Sequence, residues 1–192
     1  MRPALLTLFL FCYTYSILRY HIGAEIPSNE WLFILNKSIA WAGFTCIGLS
    51  LLSVSLLERI RLTKRIAGIY GFICSCIHII ISFYLLYDGN QLIWNKLESI
   101  DFMFYSFIIS GAISFLIYLF PLVATLKELP STSKMLGIAK VGYLINILHP
   151  LLLGYSGWGS ISKWPLFLPP ITLLAVLSAL VFIGFNLSTK RS

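Results

Sequence analysis

Residues 66 to 87 read IAGIYGFICSCIHIIISFYLLY, a run without a single Asp, Glu, Lys or Arg and with His78 near its middle. At 1.5 Å of rise per residue such a run covers a hydrocarbon core of about 30 Å. It therefore reads as a transmembrane helix. A second segment, 137 to 156, reads GIAKVGYLINILHPLLLGYS and holds His149. An ionisable ring at membrane depth is costly, and its presence marks a functional position by default.

Working outward, the same reading extends over the chain. Hydrophobic residues make up 58% of the 192 residues and charged residues 11%, which is outside the range of a soluble globular domain. Runs able to span lie at about 3 to 19, 31 to 57, 66 to 87, 102 to 126, 137 to 156 and 168 to 187. The expectation is an all-α polytopic membrane protein, a bundle of six transmembrane helices forming a single domain over residues 1–192. Although Arg2 precedes the first run, that run ends in Leu18-Arg19-Tyr20-His21 and not in a small-residue cleavage pattern, so it is read as a helix and not as a signal peptide. Glu58 to Arg65, Asp88 to Asp101, Lys127 to Lys134 and Gly157 to Phe167 read as connecting loops. No glycine-rich nucleotide cradle occurs, so any electron donor is expected to be a separate molecule.

Orientation follows from the basic residues. Arg2, Arg59, Arg61, Lys64, Arg65, Lys127, Lys134, Lys140, Lys190 and Arg191 fall on one side, against Arg19, Lys37, Lys96 and Lys163 on the other. Positive loops stay in the cytoplasm, so both termini are expected inside. The net charge of +7 belongs to this asymmetry and to contact with the lipid bilayer, and gives no ground for nucleic-acid binding. The acids Glu25, Glu30, Asp88, Glu98 and Asp101 lie on the outer side, where they read as solvated loop charge.

The two membrane histidines then fall at matching depths. His78 lies nine residues before Tyr87 and His149 seven before Ser156, which sets both roughly 10 to 14 Å below the outer surface on helices running the same way. Ala67-Gly68-Ile69 and Leu136-Gly137-Ile138 are a weak internal similarity that places the two helices as a pseudo-symmetric pair. Two neutral imidazoles facing each other at one depth are the ligand set of a haem iron, whereas the competing reading gives each ring only a hydrogen bond across the bundle. Pro150, directly after His149, removes the helical partner of the Asn146 carbonyl and is expected to kink the helix. Cys12, Cys46, Cys74 and Cys76 all fall within spans, so they read as small packing residues and not as a disulfide framework or a metal clip.

Arg65-Ile66-Ala67-Gly68-Ile69-Tyr70-Gly71-Phe72, Ile77-His78 and Ser82-Phe83 resemble the third helix of the ferric reductase-like transmembrane domain family. Leu148-His149-Pro150 through Trp158, Trp164 and Leu168-Pro169-Pro170-Ile171 resemble the fifth helix and outer loop of its small bacterial members. Arg19-Tyr20-His21 and Leu35-Asn36-Lys37 are similar to the same subgroup. The resemblance implies one b-type haem held by His78 and His149, single-electron transfer across a bacterial inner (plasma) membrane, and an oxidoreductase subunit. The electrons would come from an inner-side or quinol donor, with quinone or flavin supplied by a separate partner, and would go to an outer acceptor or soluble redox subunit. Larger members stack two haems, using a second histidine about thirteen residues from each first one. Here positions 65, 91, 136 and 162 are Arg, Gln, Leu and Ser, which leaves one pair. The chain is similar to stand-alone haem subunits such as the membrane partner of periplasmic methionine sulfoxide reductase, although it lacks that protein's additional fifth-helix histidines.

Haem propionates need cationic or hydrogen-bonding partners, and Lys37, Arg19, His21, Trp158 and Lys163 are near the outer interface. Lys37 equally suits snorkelling toward headgroups, and His21 an exposed loop. Arg65 is the candidate for contact with a donor, beside its role as a positive-inside anchor. Two other classes stand as alternatives: a haem-free membrane scaffold or assembly protein, and a small transporter.

Overall fold

The computed structural model describes residues 3–22, 30–52, 63–87, 102–129 and 133–188. Six long helices account for most of them: α1 Pro3–Tyr20, α2 Glu30–Ser50, α3 Lys64–Tyr87, α4 Phe102–Leu126, α5 Ser133–Trp158 and α6 Ile171–Ser188. Two short 3₁₀ turns, Ile161–Lys163 and Pro165–Phe167, occupy the connection before α6. No strand occurs among the described residues. This is what an apolar solvent demands, since a helix satisfies its own backbone donors and acceptors without water.

Five of these helices, α2 to α6, include segments long and apolar enough to cross a membrane. They make the chain a multi-pass membrane protein. The remaining helix, α1, has 18 residues, as many as α6, and carries Tyr13, Thr14, Tyr15, Ser16 and Arg19 in its second half. The expected loops at 88 to 101 and most of 58 to 65, like the charged residues they contain, lie outside the described residues, apart from Lys64 and Arg65, which open α3. α5 begins four residues before the expected 137 and runs unbroken through Pro150 to Trp158.

Successive helices run antiparallel. Asn36 meets Ser82 while Gly43 lies against Cys74 and Gly71, so α2 descends as α3 climbs. Gly142 of α5 lies against Ile117 and Tyr118 of α4, and Gly111 against His149, which fixes the same sense for that hairpin. Thus α1, α3 and α5 point toward the end of the bundle that carries His21, Tyr87 and Trp158, while α2, α4 and α6 point away from it. α2 is the most enclosed helix, with Ile34, Asn36, Ser38, Ile39, Trp41, Ala42, Phe44, Cys46 and Ile47 all buried. It packs against α1, α3 and α6.

Small residues allow this closeness. A Cβ on Gly71 would stand 2.6 Å from Ile47 Cγ1 and 2.9 Å from the Ile47 nitrogen, so only glycine lets the α2 and α3 backbones approach as they do. Hydroxyls inside the spans are satisfied locally: Ser16, Ser38 and Ser114 each donate to the carbonyl four residues earlier at 2.7 Å. The opposite surfaces are apolar and exposed. Ile73, Ile77, Ile80, Tyr84 and Tyr87 form one stripe along α3, at the three- and four-residue spacing of a helix face that contacts lipid.

α4 closes with a Schellman turn. Leu129 N–H donates to the Ala124 carbonyl at 2.9 Å and Glu128 N–H to Thr125 at 3.3 Å, with Glu128 in the left-handed region at φ 56°.

Candidate functional site

His78 and His149 come together. Their ring centres are 6.4 Å apart and their planes cross at 83°. Measured to the observed helix ends, Tyr87 and Trp158, each histidine is nine residues from its terminus, so the matching depth expected from sequence is matched more closely by the helices themselves.

Each ring is held through Nδ1. His78 Nδ1 lies 2.7 Å from Asn36 Oδ1 on α2, and His149 Nδ1 lies 2.8 Å from the Phe107 carbonyl oxygen on α4. A carbonyl oxygen only accepts, so the proton in both contacts sits on Nδ1. Nε2 is left in each ring with its lone pair available. This is the second-sphere pattern of metal-bound histidine, in which the nitrogen away from the metal donates to a carbonyl or carboxylate.

The two hairpins repeat each other. A shift of 71 positions carries Asn36 to Phe107, His78 to His149, Gly71 to Gly142 and Ile47 to Tyr118, and it converts the contacts of the α2–α3 hairpin into those of α4–α5. The ring pair therefore sits about a pseudo-twofold axis along the helices. A ligand with two equivalent faces suits such a frame.

The rings stand edge-on, 6.4 Å between centres and 83° between planes, within the spacing of about 4.5–7 Å usual for packed rings. Among the described residues no group of three or more His, Cys, Asp or Glu is placed to hold a metal ion, so a bare ion would find only these two protein ligands. A macrocycle brings its own four equatorial nitrogens and needs only two. α3 and α5 make no extended backbone contact with one another, so the rings meet between helices whose backbones stay apart.

The surrounding sequence candidates divide. The Lys37 ammonium lies 5.1 Å from the Phe33 ring centre. Arg19 has Nε and Nη1 buried without a hydrogen-bond partner, beside the Tyr20 ring at 5.9 Å. A buried guanidinium edge of this kind calls for an anionic oxygen. His21 is exposed and packs on Trp31 at 5.4 Å, and Trp158 donates its indole N–H to Thr172 Oγ1 at 3.0 Å, tying α5 to α6. Trp158 therefore spends its only donor within the bundle. Arg65 faces Glu128 at 3.4 Å at the far end of the bundle, where both side chains are exposed. The side chain of Lys163 lies outside the described set. Of the aromatic residues near the histidines in sequence, Phe72 stacks on Phe115 at 4.9 Å and Tyr143 on Phe44 at 5.0 Å, while Phe83 points outward.

All four cysteines are free thiols, with Cys12 and Cys46 buried in the core.

Four residues to which sequence reasoning gave no role shape the site, two of them, Asn36 and Ser82, quoted only as part of the resemblance. Asn36 and Ser82 form one side, with Asn36 Nδ2 donating to Ser82 Oγ at 3.0 Å. Phe107 contributes its main-chain carbonyl, which also accepts from Ser110 at 2.9 Å, and its ring, which packs edge-on against His149 with centres 5.2 Å apart. Gly111 makes room for the imidazole: a Cβ there would be 2.8 Å from His149 Nδ1 and 3.2 Å from Cε1. Asn36 alone had a visible signal, as a lone amide within a span. No family model matches the chain, and no curated protein matches it.

Proposed function

We propose that this chain is a haem b electron-transfer protein of the membrane, with six transmembrane helices, both termini in the cytoplasm of a bacterial cell, and that His78 and His149 would hold one haem. The observation that carries this reading is the paired geometry: two Nε2 lone pairs, each fixed by an Nδ1 donor bond, on rings 6.4 Å apart. A b-type haem bound there supplies reversible one-electron iron chemistry.

The protein's own part is to bind, orient and insulate. Asn36 and Phe107 hold the ring protons on Nδ1, so that both histidines present their other nitrogen. Gly111 lets His149 reach its position, and Lys37 and Arg19 offer positive charge for carboxylates on the outer side. No acid or base residue is required, because electron transfer alone breaks no bond. Arg65 and its neighbours on the inner side suit an anionic or quinol donor, and the outer acceptor is a separate molecule or redox subunit.

The reading is tested by expressing the chain with ample haem and measuring haem per chain by pyridine haemochrome. One haem per wild-type chain, lost in His78→Ala and in His149→Ala while the protein remains monodisperse in detergent, is the expected result. A colourless wild-type protein would sink the proposal.

A further inference from the structure

The two halves of the site differ in one respect. His149 donates to a main-chain carbonyl, which has one orientation, whereas His78 faces a side-chain amide, which has two. With Oδ1 toward the ring, His78 carries its proton on Nδ1. If the amide were reversed, its NH₂ would donate to Nδ1, the ring proton would move to Nε2, and the lone pair that faces away from α2 would be gone. The same amide thus decides whether His78 can act as a ligand at all.

The structure turns Oδ1 toward the ring and Nδ2 toward Ser82, a hydroxyl that can accept or donate and so holds the amide in place without choosing its sense. Asn36 is buried at 5% exposure, and its Nδ2 donates to Ser82 Oγ at 3.0 Å, one turn beyond His78 on α3. Ser82 Oγ is also 3.5 Å from His78 Nδ1, too long to compete with the 2.7 Å contact from Asn36. In addition, the pseudo-twofold relation maps Asn36 Oδ1 onto the Phe107 carbonyl, an acceptor that cannot reverse.

We propose that Asn36, anchored by Ser82, is a positioning residue that holds His78 as the Nδ1–H tautomer and so keeps its Nε2 bare. Its functional meaning rests on the reading of the two histidines as axial ligands, while the tautomer itself is a property of the protein alone. The arrangement makes the pair inequivalent: the His149 acceptor belongs to the backbone, and the His78 acceptor is open to substitution.

The test is ¹⁵N NMR of the full chain labelled at histidine, in detergent micelles without haem, with His149→Ala and His21→Ala used to assign the three rings. Wild-type His78 and His149 are both expected as Nδ1–H. Asn36→Leu is expected to convert His78 to the Nε2–H form and leave His149 unchanged, Asn36→Asp, an acceptor once its carboxyl is ionised, to preserve Nδ1–H at alkaline pH, and Ser82→Ala to give a mixture. A wild-type His78 in the Nε2–H form, or an Asn36→Leu variant with His78 unaltered, would overturn the assignment.

Haem titration of the same samples separates the two layers. A loss of roughly 10- to 100-fold in affinity for Asn36→Leu, rescued in Asn36→Asp, supports the positioning role. Unchanged affinity in Asn36→Leu with a converted tautomer overturns that role. Absence of haem binding in every form, with tautomers as expected, counts against the axial-ligand reading and leaves the tautomer assignment standing.

Discussion

Replacing Gly111 with alanine tests the site without altering either histidine. The added Cβ would stand 2.8 Å from His149 Nδ1, some 0.6 Å inside ordinary contact at 3.4 Å, and 3.2 Å from Cε1. The obstructed atom is the same nitrogen that donates to the Phe107 carbonyl at 2.8 Å, so the ring cannot retreat and keep that bond. A displaced imidazole loses its second-sphere partner, a change that typically weakens metal binding 10- to 100-fold, or about 1.4–2.7 kcal/mol. The assay is haem occupancy of the purified variant, together with carbon monoxide binding to the reduced protein, which reports an axial position freed by ring displacement. Gly137→Ala is the control: it lies on the same helix with nothing within 4 Å of its added Cβ, so it should keep full occupancy. Wild-type haem content with no carbon monoxide binding in Gly111→Ala would refute the argument from ring position.

Other consequences concern the frame. Gly71→Ala pushes a methyl into the α2 backbone, and an overpacking loss of about 1–3 kcal/mol should appear as a lower thermal midpoint, whereas Gly68→Ala, with only Ser50 near at 3.7 Å, should be tolerated. Glu128→Gly relieves a left-handed residue at the end of α4 and should raise the midpoint, because the Arg65 pair it removes is exposed and worth less than about 1 kcal/mol. Trp158→Phe removes the 3.0 Å bond to Thr172. It should lower stability by about 0.5–1.5 kcal/mol while leaving haem content unchanged, since the Trp158 indole N–H is engaged by Thr172.

Helix positions were legible because hydrocarbon leaves few choices: long apolar runs predict α3 to α6 within a few residues, whereas α2, expected to run to 57, ends at Ser50 and turns through Leu51 and Leu52. The pairing of His78 and His149 was legible for the same reason, since depth along a membrane helix is simply a count from its end. What surrounds the rings was not. The hydrogen bond from Phe107 comes from its backbone, which carries no residue signature, its ring is one of many apolar aromatics in the spans, and Gly111 matters through what it lacks. The internal repeat was visible only faintly, as Gly68 against Gly137, two positions out of the register that contacts establish between Gly71 and Gly142. Short sequence similarity compares letters, whereas the true register is set by which residue faces the partner helix. Trp158, placed by sequence at the outer interface, turned out to spend its donor on Thr172 because α5 runs two residues past Ser156 and carries the indole onto α6.

The central claim, one iron between two nearly perpendicular imidazoles, is tested most directly by the electron paramagnetic resonance spectrum of the oxidised, haem-loaded protein. Ring planes crossing at 83° predict a low-spin ferric signal of the strongly anisotropic type given by perpendicular axial imidazoles, lost when either His78 or His149 is replaced by alanine. A high-spin spectrum, or a protein that carries no haem signal after loading, would contradict the account.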